Sequence, residues 1–157
     1  MILLRGKGIV SEELYRIESE FEVSCYIRDL KYALEHGAQI TFQQDRLVDR
    51  QRDIRFTNRF TVTDLFPNEN PVDALKRELG KLTVEEYLRT VKDLKFQNRS
   101  EMREFGRVYN GADDVYIKIR VELLSSFGGQ TLFVMSFHYA VTPFSPEMFP
   151  YKHRKEV

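Results

Sequence analysis

Tryptophan is absent from this 157-residue chain, and cysteine occurs once, at Cys25. A lone thiol excludes an intramolecular disulfide and a multi-cysteine zinc site. Charge of one sign is missing too: 24 Lys and Arg balance 24 Asp and Glu. No global field therefore announces a nucleic-acid or membrane partner. No run approaches the ~20 apolar residues of a membrane helix. The opening MILLRGKGIV has only a brief apolar run, so no signal peptide is expected, and a reducing, cytoplasmic setting is. There is no internal repeat, linker or low-complexity block. The three histidines, at 36, 138 and 153, lack metal-ligand spacing. No nucleophile elbow surrounds Ser136, and Phe127-Gly128-Gly129 reads as a hairpin tip rather than a phosphate loop. No metal or other cofactor is expected.

What is present is alternation. Residues 115–139, VYIKIRVELLSSFGGQTLFVMSFHY, read as two antiparallel strands around a Gly-containing loop. Val115, Ile117, Ile119, Val121 and Leu123 point one way; Tyr116, Lys118, Arg120 and Glu122 point the other. On the second strand Phe133, Met135, Phe137 and Tyr139 form the apolar set, against Leu132, Val134, Ser136 and His138. With a loop at 125–129, Leu124 faces Gln130, Tyr116 faces His138 and Lys118 faces Ser136. A one-residue slip would put half the apolar set into water, so the pattern argues for this register.

The length suits a single domain, residues 1–157, that buries roughly two thirds of its unfolded surface. Ser11 is expected to open a helical stretch that runs to Gly37, in one piece or two, striped by Leu14, Ile17, Phe21, Cys25, Leu30 and Leu34. That arm, 1–37, is acidic, with five Lys/Arg against seven Asp/Glu, which suits a packing or partner surface. Residues 38–43 suggest a short strand, 45–53 a polar loop or turn, and 54–56 and 60–62 short extended pieces. Asn70-Pro71 starts a helix that Gly80 closes. Thr83 and Glu86 form a capping box that predicts a helix to about Leu94. Residues 103–109 suggest a strand turning at Asn110-Gly111. The core thus spans 38–140. Residues 141–157, with Pro143, Pro146 and Pro150, suggest an extended tail that cannot be a central strand. The expected architecture is α+β: a small antiparallel sheet of at least three strands, packed on one face by N-terminal and central helices.

The polar hairpin face gathers Tyr116, Lys118, Arg120, Ser136 and His138, with Arg103 or Arg107 alongside on the preceding strand. Between 89 and 120, eight Lys/Arg stand against five Asp/Glu. Cations beside aromatic rings suit RNA, holding phosphates while rings accept bases. The same groups suit RNA cleavage through the 2′-hydroxyl. His138 serves as base or acid, Lys118 and Arg120 hold the phosphate, and Tyr116 orients or donates. A solvated strand face and a structural histidine are the plainer alternative.

Several blocks, in order, resemble the MqsR-type toxins of the RelE-like group of bacterial ribonuclease toxins: LTVEEYLRT, EFGRVYNG, DVYIKIRV and LFVMSFHYA, preceded by IRFTNRFTVTDLFP and ALKRELGKLT. The resemblance covers roughly residues 54–140. It implies a small toxin that cleaves mRNA without metal and is neutralised by a cognate antitoxin, with self-association into a homo-oligomer left open. By position, the family's Tyr on its YIKI strand matches Tyr116, and the Lys ending its final strand matches His138. A helical Lys matches Arg89, and a strand Gln falls on Gly106. Catalysis is then expected from Tyr116, His138 and Lys118, and phosphate binding from Arg89, Arg103, Arg107 and Arg120. The alternative is a relative that binds RNA or protein without cleaving.

Overall fold

The computed structural model describes residues 13–45, 51–123 and 130–152. It has the expected α+β architecture, with a larger sheet than the pattern required. Six strands, β1 (Glu13–Arg16), β2 (Gln39–Phe42), β3 (Tyr87–Asp93), β4 (Met102–Tyr109), β5 (Asp113–Leu123) and β6 (Gln130–Tyr139), lie in the order β1-β3-β4-β5-β6-β2. All neighbours are antiparallel except β2, which runs parallel to β6. Three helices, α1 (Glu20–Glu35), α2 (Asn58–Leu65) and α3 (Pro71–Leu79), supply the second layer. Val23, Ile27, Leu30 and Leu34 of α1, Val62 of α2, and Leu75 and Leu79 of α3 are buried in one cluster. There they meet a row from the sheet, Tyr87, Phe105, Ile117 and Phe137.

Local signals were honoured wherever the partner they needed was also local. Asn70 accepts from the amides of Val72 and Asp73 to start α3, with Pro71 in its first turn. Asn110 and Gly111 both take positive φ, 53° and 76°, the conformation of the tight β4–β5 turn. Elsewhere the outcome differs from the expectation. Residues 13–16 are a strand, not helix, because Tyr15 and Arg16 find backbone partners in Val91 and Thr90 of β3. The helix begins instead at Ser19, whose hydroxyl and Glu22 form a reciprocal capping box. Its buried stripe is Val23, Ile27, Leu30, Ala33 and Leu34, leaving Ile17 and Phe21 exposed. Residues 54–56 form a single 3₁₀ turn and 60–62 lie within α2, where extended pieces were expected. The Thr83–Glu86 box caps only one 3₁₀ turn, after which 87–93 is strand. Two flanking strands capture that segment's backbone, which outweighs a cap of about 1 kcal/mol.

The β5–β6 hairpin keeps the expected register near its open end: Tyr116 opposes His138 and Lys118 opposes Ser136. The ladder then shifts by one, so that Ile119 opposes Val134, Arg120 opposes Phe133 and Leu123 opposes Gln130. Leu124 and the loop at 125–129 lie outside the described residues. Met135 is the extra residue of a β-bulge. In consequence Leu132 and Val134 enter the core, where Phe133 and Met135 were expected, and Phe133 joins the polar face. The cause lies 77 residues away. Asn58, at the start of α2 and 4% exposed, donates from Nδ2 to the carbonyls of Gln43 (2.8 Å) and Met135 (3.1 Å). Its Oδ1 accepts from the Phe137 amide (3.0 Å). One side chain thus satisfies the bulge and the end of β2 together. One turn on, Thr61 Oγ1 accepts from the Tyr139 amide at 2.9 Å. Helix α2 therefore seals the edge of β6 where β2 stops, which keeps that edge from pairing elsewhere.

After β6 the chain crosses the sheet as a strap. The Ala140 amide donates to the Asp114 carbonyl, and the Phe144 amide to Asp114 Oδ2 at 2.9 Å. Phe144 and Phe149 then lie over Gly106 of β4; a Cβ there would stand 2.7 Å from Phe144 Cε2. Tyr151 ends the crossing, stacked on Tyr87 and donating to the Glu18 carbonyl. Glycine at 106 is what lets the strap close on the strand.

Candidate functional site

Parity along the strands decides which side chains meet on the face opposite the helices. The central row across the sheet is Arg89 (β3), Glu104 (β4), Lys118 (β5) and Ser136 (β6). One row beyond it lie Gly106, Tyr116 and His138; on its other side lie Met102, Arg120 and Phe133. Five of the seven residues proposed from sequence therefore share this face: Tyr116, Lys118, His138, Arg89 and Arg120.

Arg103 and Arg107 do not. They sit opposite Ile119 and Val115, on the core side. Arg103 makes a two-pronged bridge to the buried Glu18 (2.9 and 3.0 Å) and lies over the Tyr26 ring. Arg107 donates to the Lys81 carbonyl and to Glu86. Both are structural, and neither can reach a phosphate on the far face. Counting residues from Tyr116 across to Gly106 gives the same answer, since an odd offset on a strand always means the other face.

Glu104 is the residue that sequence reasoning overlooked. It is 2% exposed and accepts from Arg89 Nε at 2.7 Å. Lys118 Nζ lies 3.9 Å from it and 3.7 Å from Glu13. The even offset from Gly106 placed Glu104 on this face, a signal available in the alternation itself. Arg89 also spreads its guanidinium over the Tyr15 ring at 3.8 Å, and Arg120 over Phe133 at 4.5 Å. Burial, and then the Glu104 carboxylate that accepts its hydrogen bond, push the Tyr116 phenol far above the ordinary tyrosine range. Tyr116 is accordingly a hydrogen-bond donor at any workable pH.

His138 is held by its neighbours. Nδ1 lies 2.8 Å from the Tyr139 carbonyl, which can only accept, so Nδ1 carries the proton. Nε2 then presents its lone pair towards Arg52 Nη1 at 3.5 Å. The Tyr116 ring lies 5.4 Å away, tilted by 39°. Arg52 belongs to the polar stretch 45–53, where a loop or turn was expected; residues 46–50 of that stretch lie outside the described residues. Lys118, Arg120 and His138 are only 7–8% exposed. In so dry a setting each electrostatic contact counts for more than it would at the surface.

No match was found among family models, curated proteins or solved structures. The site must therefore be read from its own geometry. Among the described residues no three His, Cys, Asp or Glu side chains are grouped to hold a metal ion. None of their helices is long and apolar enough to cross a membrane. What the face offers is a histidine of fixed tautomer, a protonated tyrosine and four cations, Arg52, Arg89, Lys118 and Arg120.

Proposed function

We propose that this protein is a metal-independent endoribonuclease that cleaves mRNA through its own 2′-hydroxyl, with the polar sheet face as its active site. The observation that carries the reading is the His138–Tyr116 pair. A neutral imidazole has its basic nitrogen turned away from a fixed Nδ1–H, beside a phenol kept protonated. His138 Nε2 takes the 2′-hydroxyl proton, once Arg52 moves from Nε2 to the phosphate. The 2′-oxygen attacks the adjacent phosphorus and the bond from phosphorus to the 5′-oxygen breaks. The products are a 2′,3′-cyclic phosphate and a 5′-hydroxyl. Lys118, Arg120 and Arg89 stabilise the charge that builds on the phosphorane. Tyr116, turning its O–H away from the Glu104 carboxylate, donates to the leaving oxygen. The toxin role, the cognate antitoxin and a cytoplasmic site of action rest on the sequence resemblance.

The test is purified protein incubated with single-stranded RNA in EDTA, with the new ends identified. Cyclic phosphate ends are expected. His138→Ala should lower the rate by about 10²–10⁴-fold, the range for losing one general base or acid. Failure to cleave any free or ribosome-bound RNA, with no antitoxin present, refutes the reading.

A second reading, an RNA- or protein-binding module without catalysis, is favoured by the low exposure of Lys118 and Arg120 and by their carboxylate partners Glu13, Glu104 and Glu122. RNA binding by wild type that never cleaves, and that His138→Ala leaves unchanged, would select it.

A further inference from the structure

The edge strand β1 reaches into the candidate site with two of its four residues. It pairs only with β3 in the described sheet. Tyr15 opposes Val91, two residues from Arg89, so Glu13 and Tyr15 share the polar face while Leu14 and Arg16 share the other. Glu13 Oε1 lies 3.7 Å from Lys118 Nζ, although β3 and β4 stand between their strands. The Tyr15 ring covers the Arg89 guanidinium at 3.8 Å. A side-chain hydrogen bond joins Tyr15 to Glu13, so the two act as a unit. Two cations at the centre of the face are thus each held by a residue of the edge strand.

The two ends of β1 are anchored unequally. At its C-terminal end Arg16 makes a two-pronged bridge to Glu101, at 2.6 and 2.9 Å, and a further contact to the buried Glu18. At the other end Glu13 stands directly opposite Asp93, and like charges facing each other across a strand pair destabilise it. Leu14, beside it, is exposed. Lys118 therefore draws Glu13 in, against the repulsion within its own ladder. Edge segments with few buried contacts are the ones that open at least cost.

A phosphodiester needs the same cation. Glu104 also lies 3.9 Å from Lys118, with Arg89 bonded to it. A phosphate arriving while Glu13 is in place would be a third anion around two cations. Glu104 is fixed on a central strand, between β3 and β5. Glu13 is not. We propose that the Glu13 end of β1 is a built-in competitor for the substrate phosphate. Its carboxylate holds Lys118, and Tyr15 covers Arg89, until RNA displaces them, with Arg16 as the fixed end of the swing. The closed strand contributes to the low exposure of Lys118. A competent state that is populated only in part weakens apparent affinity in proportion. This inference rests on the reading of the polar face as the RNA site, but its binding arm needs no cleavage.

The probe is a short fluorescent 2′-O-methyl RNA, which has no free 2′-hydroxyl through which to be cleaved. By fluorescence anisotropy of the full chain at fixed salt, Glu13→Gln should bind it about 5-fold or more tightly than wild type, the lower end of coupling between two ligands. Asp93→Asn is the control. It removes the same charge from the facing position, keeps the oxygen that accepts from the Lys95 and Phe96 amides, and relieves the repulsion that loosens β1. It should bind no more tightly than wild type. In hydrogen exchange, the β1 amides of wild type should lose protection when the RNA binds, whereas simple contact would add protection. Equal tightening by both variants refutes the inference, because it marks a general charge effect. So do an unchanged affinity in Glu13→Gln, β1 amides that keep their protection, and the absence of binding to either protein. In the cleavage arm, Glu13→Gln should lower KM for cleavable RNA by the same factor with kcat near wild type. RNA binding that opens β1 without any cleavage would overturn the ribonuclease reading and leave the competitor standing. Cleavage with a KM that Glu13→Gln does not move would overturn only the competitor.

Discussion

Replacing Asn58 by alanine removes the side chain that sets which residues of β6 face the candidate site. The substitution leaves three buried backbone groups without their partner: the carbonyls of Gln43 and Met135 and the amide of Phe137. Each orphaned buried group costs about 1–3 kcal/mol. Water entering the space left by the amide would recover part of this, so the expected loss is about 3–5 kcal/mol. That is a large share of the ~5–15 kcal/mol that holds a typical domain together. Urea unfolding followed by circular dichroism measures the loss. Hydrogen exchange at the Phe137 amide locates it, because protection should fall there before it falls in β4 or β5. Asn58→Asp should be no better, since a carboxylate cannot donate to the two carbonyls. A loss below 1 kcal/mol, or unchanged protection at Phe137, would refute the claim that Asn58 holds the bulge. A functional consequence follows on the proposed ribonuclease reading. A ladder without the bulge at Met135 would return Phe133 to the core side, so Asn58→Ala should also lower RNA cleavage at temperatures where it remains folded.

Two further outcomes test the strap and the buried ion pairs. Gly106→Ala should destabilise the protein by about 1–3 kcal/mol, the usual cost of overpacking, because Phe144 and Phe149 stand within 3.0 Å of the new methyl group. The double variant with Phe144→Ala should show a smaller combined loss than the sum of the two, and additive losses in urea unfolding would count against the contact. The Glu18 carboxyl is pushed up by burial but pulled down further by Arg103, Thr90 and Arg16, and ends below the ordinary 4.5. Its folded value is thus depressed, so it stabilises the fold above pH 4.5 and that contribution disappears as the pH falls through the depressed value. Glu18→Gln should therefore flatten the acid limb of stability against pH below about 4.5, and an unchanged limb would show that the pair does not govern acid unfolding.

Local chemistry made much of this protein readable. The alternation in 115–139 and the Asn110-Gly111 turn are each specified within a few residues, and so are the start of α3 and the Tyr116–His138 pairing. The structure reproduces the other three, and of the alternation it keeps Val115, Ile117, Ile119, Phe137 and Tyr139 on the core side but exchanges Phe133 and Met135 for Leu132 and Val134. Even the core-side placement of Arg103 and Arg107 was implicit in strand parity, since both are an odd number of residues from Gly106.

What the chain could not announce locally is which of two competing local forms would win. The Thr83 capping box is present, yet 87–93 is a strand because β1 and β4 lie on either side to pair with it. Residues 13–16 carry apolar spacing that suits a helix, yet β3 takes them as an edge strand. The bulge at Met135 has no signature in β6 itself. It exists because Asn58, on a helix far away in sequence, supplies the hydrogen bonds that a regular ladder would have supplied. Backbone groups must be satisfied wherever they are buried, and only the folded neighbourhood decides who satisfies them. The sequence by itself therefore determined the two-faced sheet and the pair at its polar centre. Tertiary structure decided the register beyond Lys118 and the strap that walls the site.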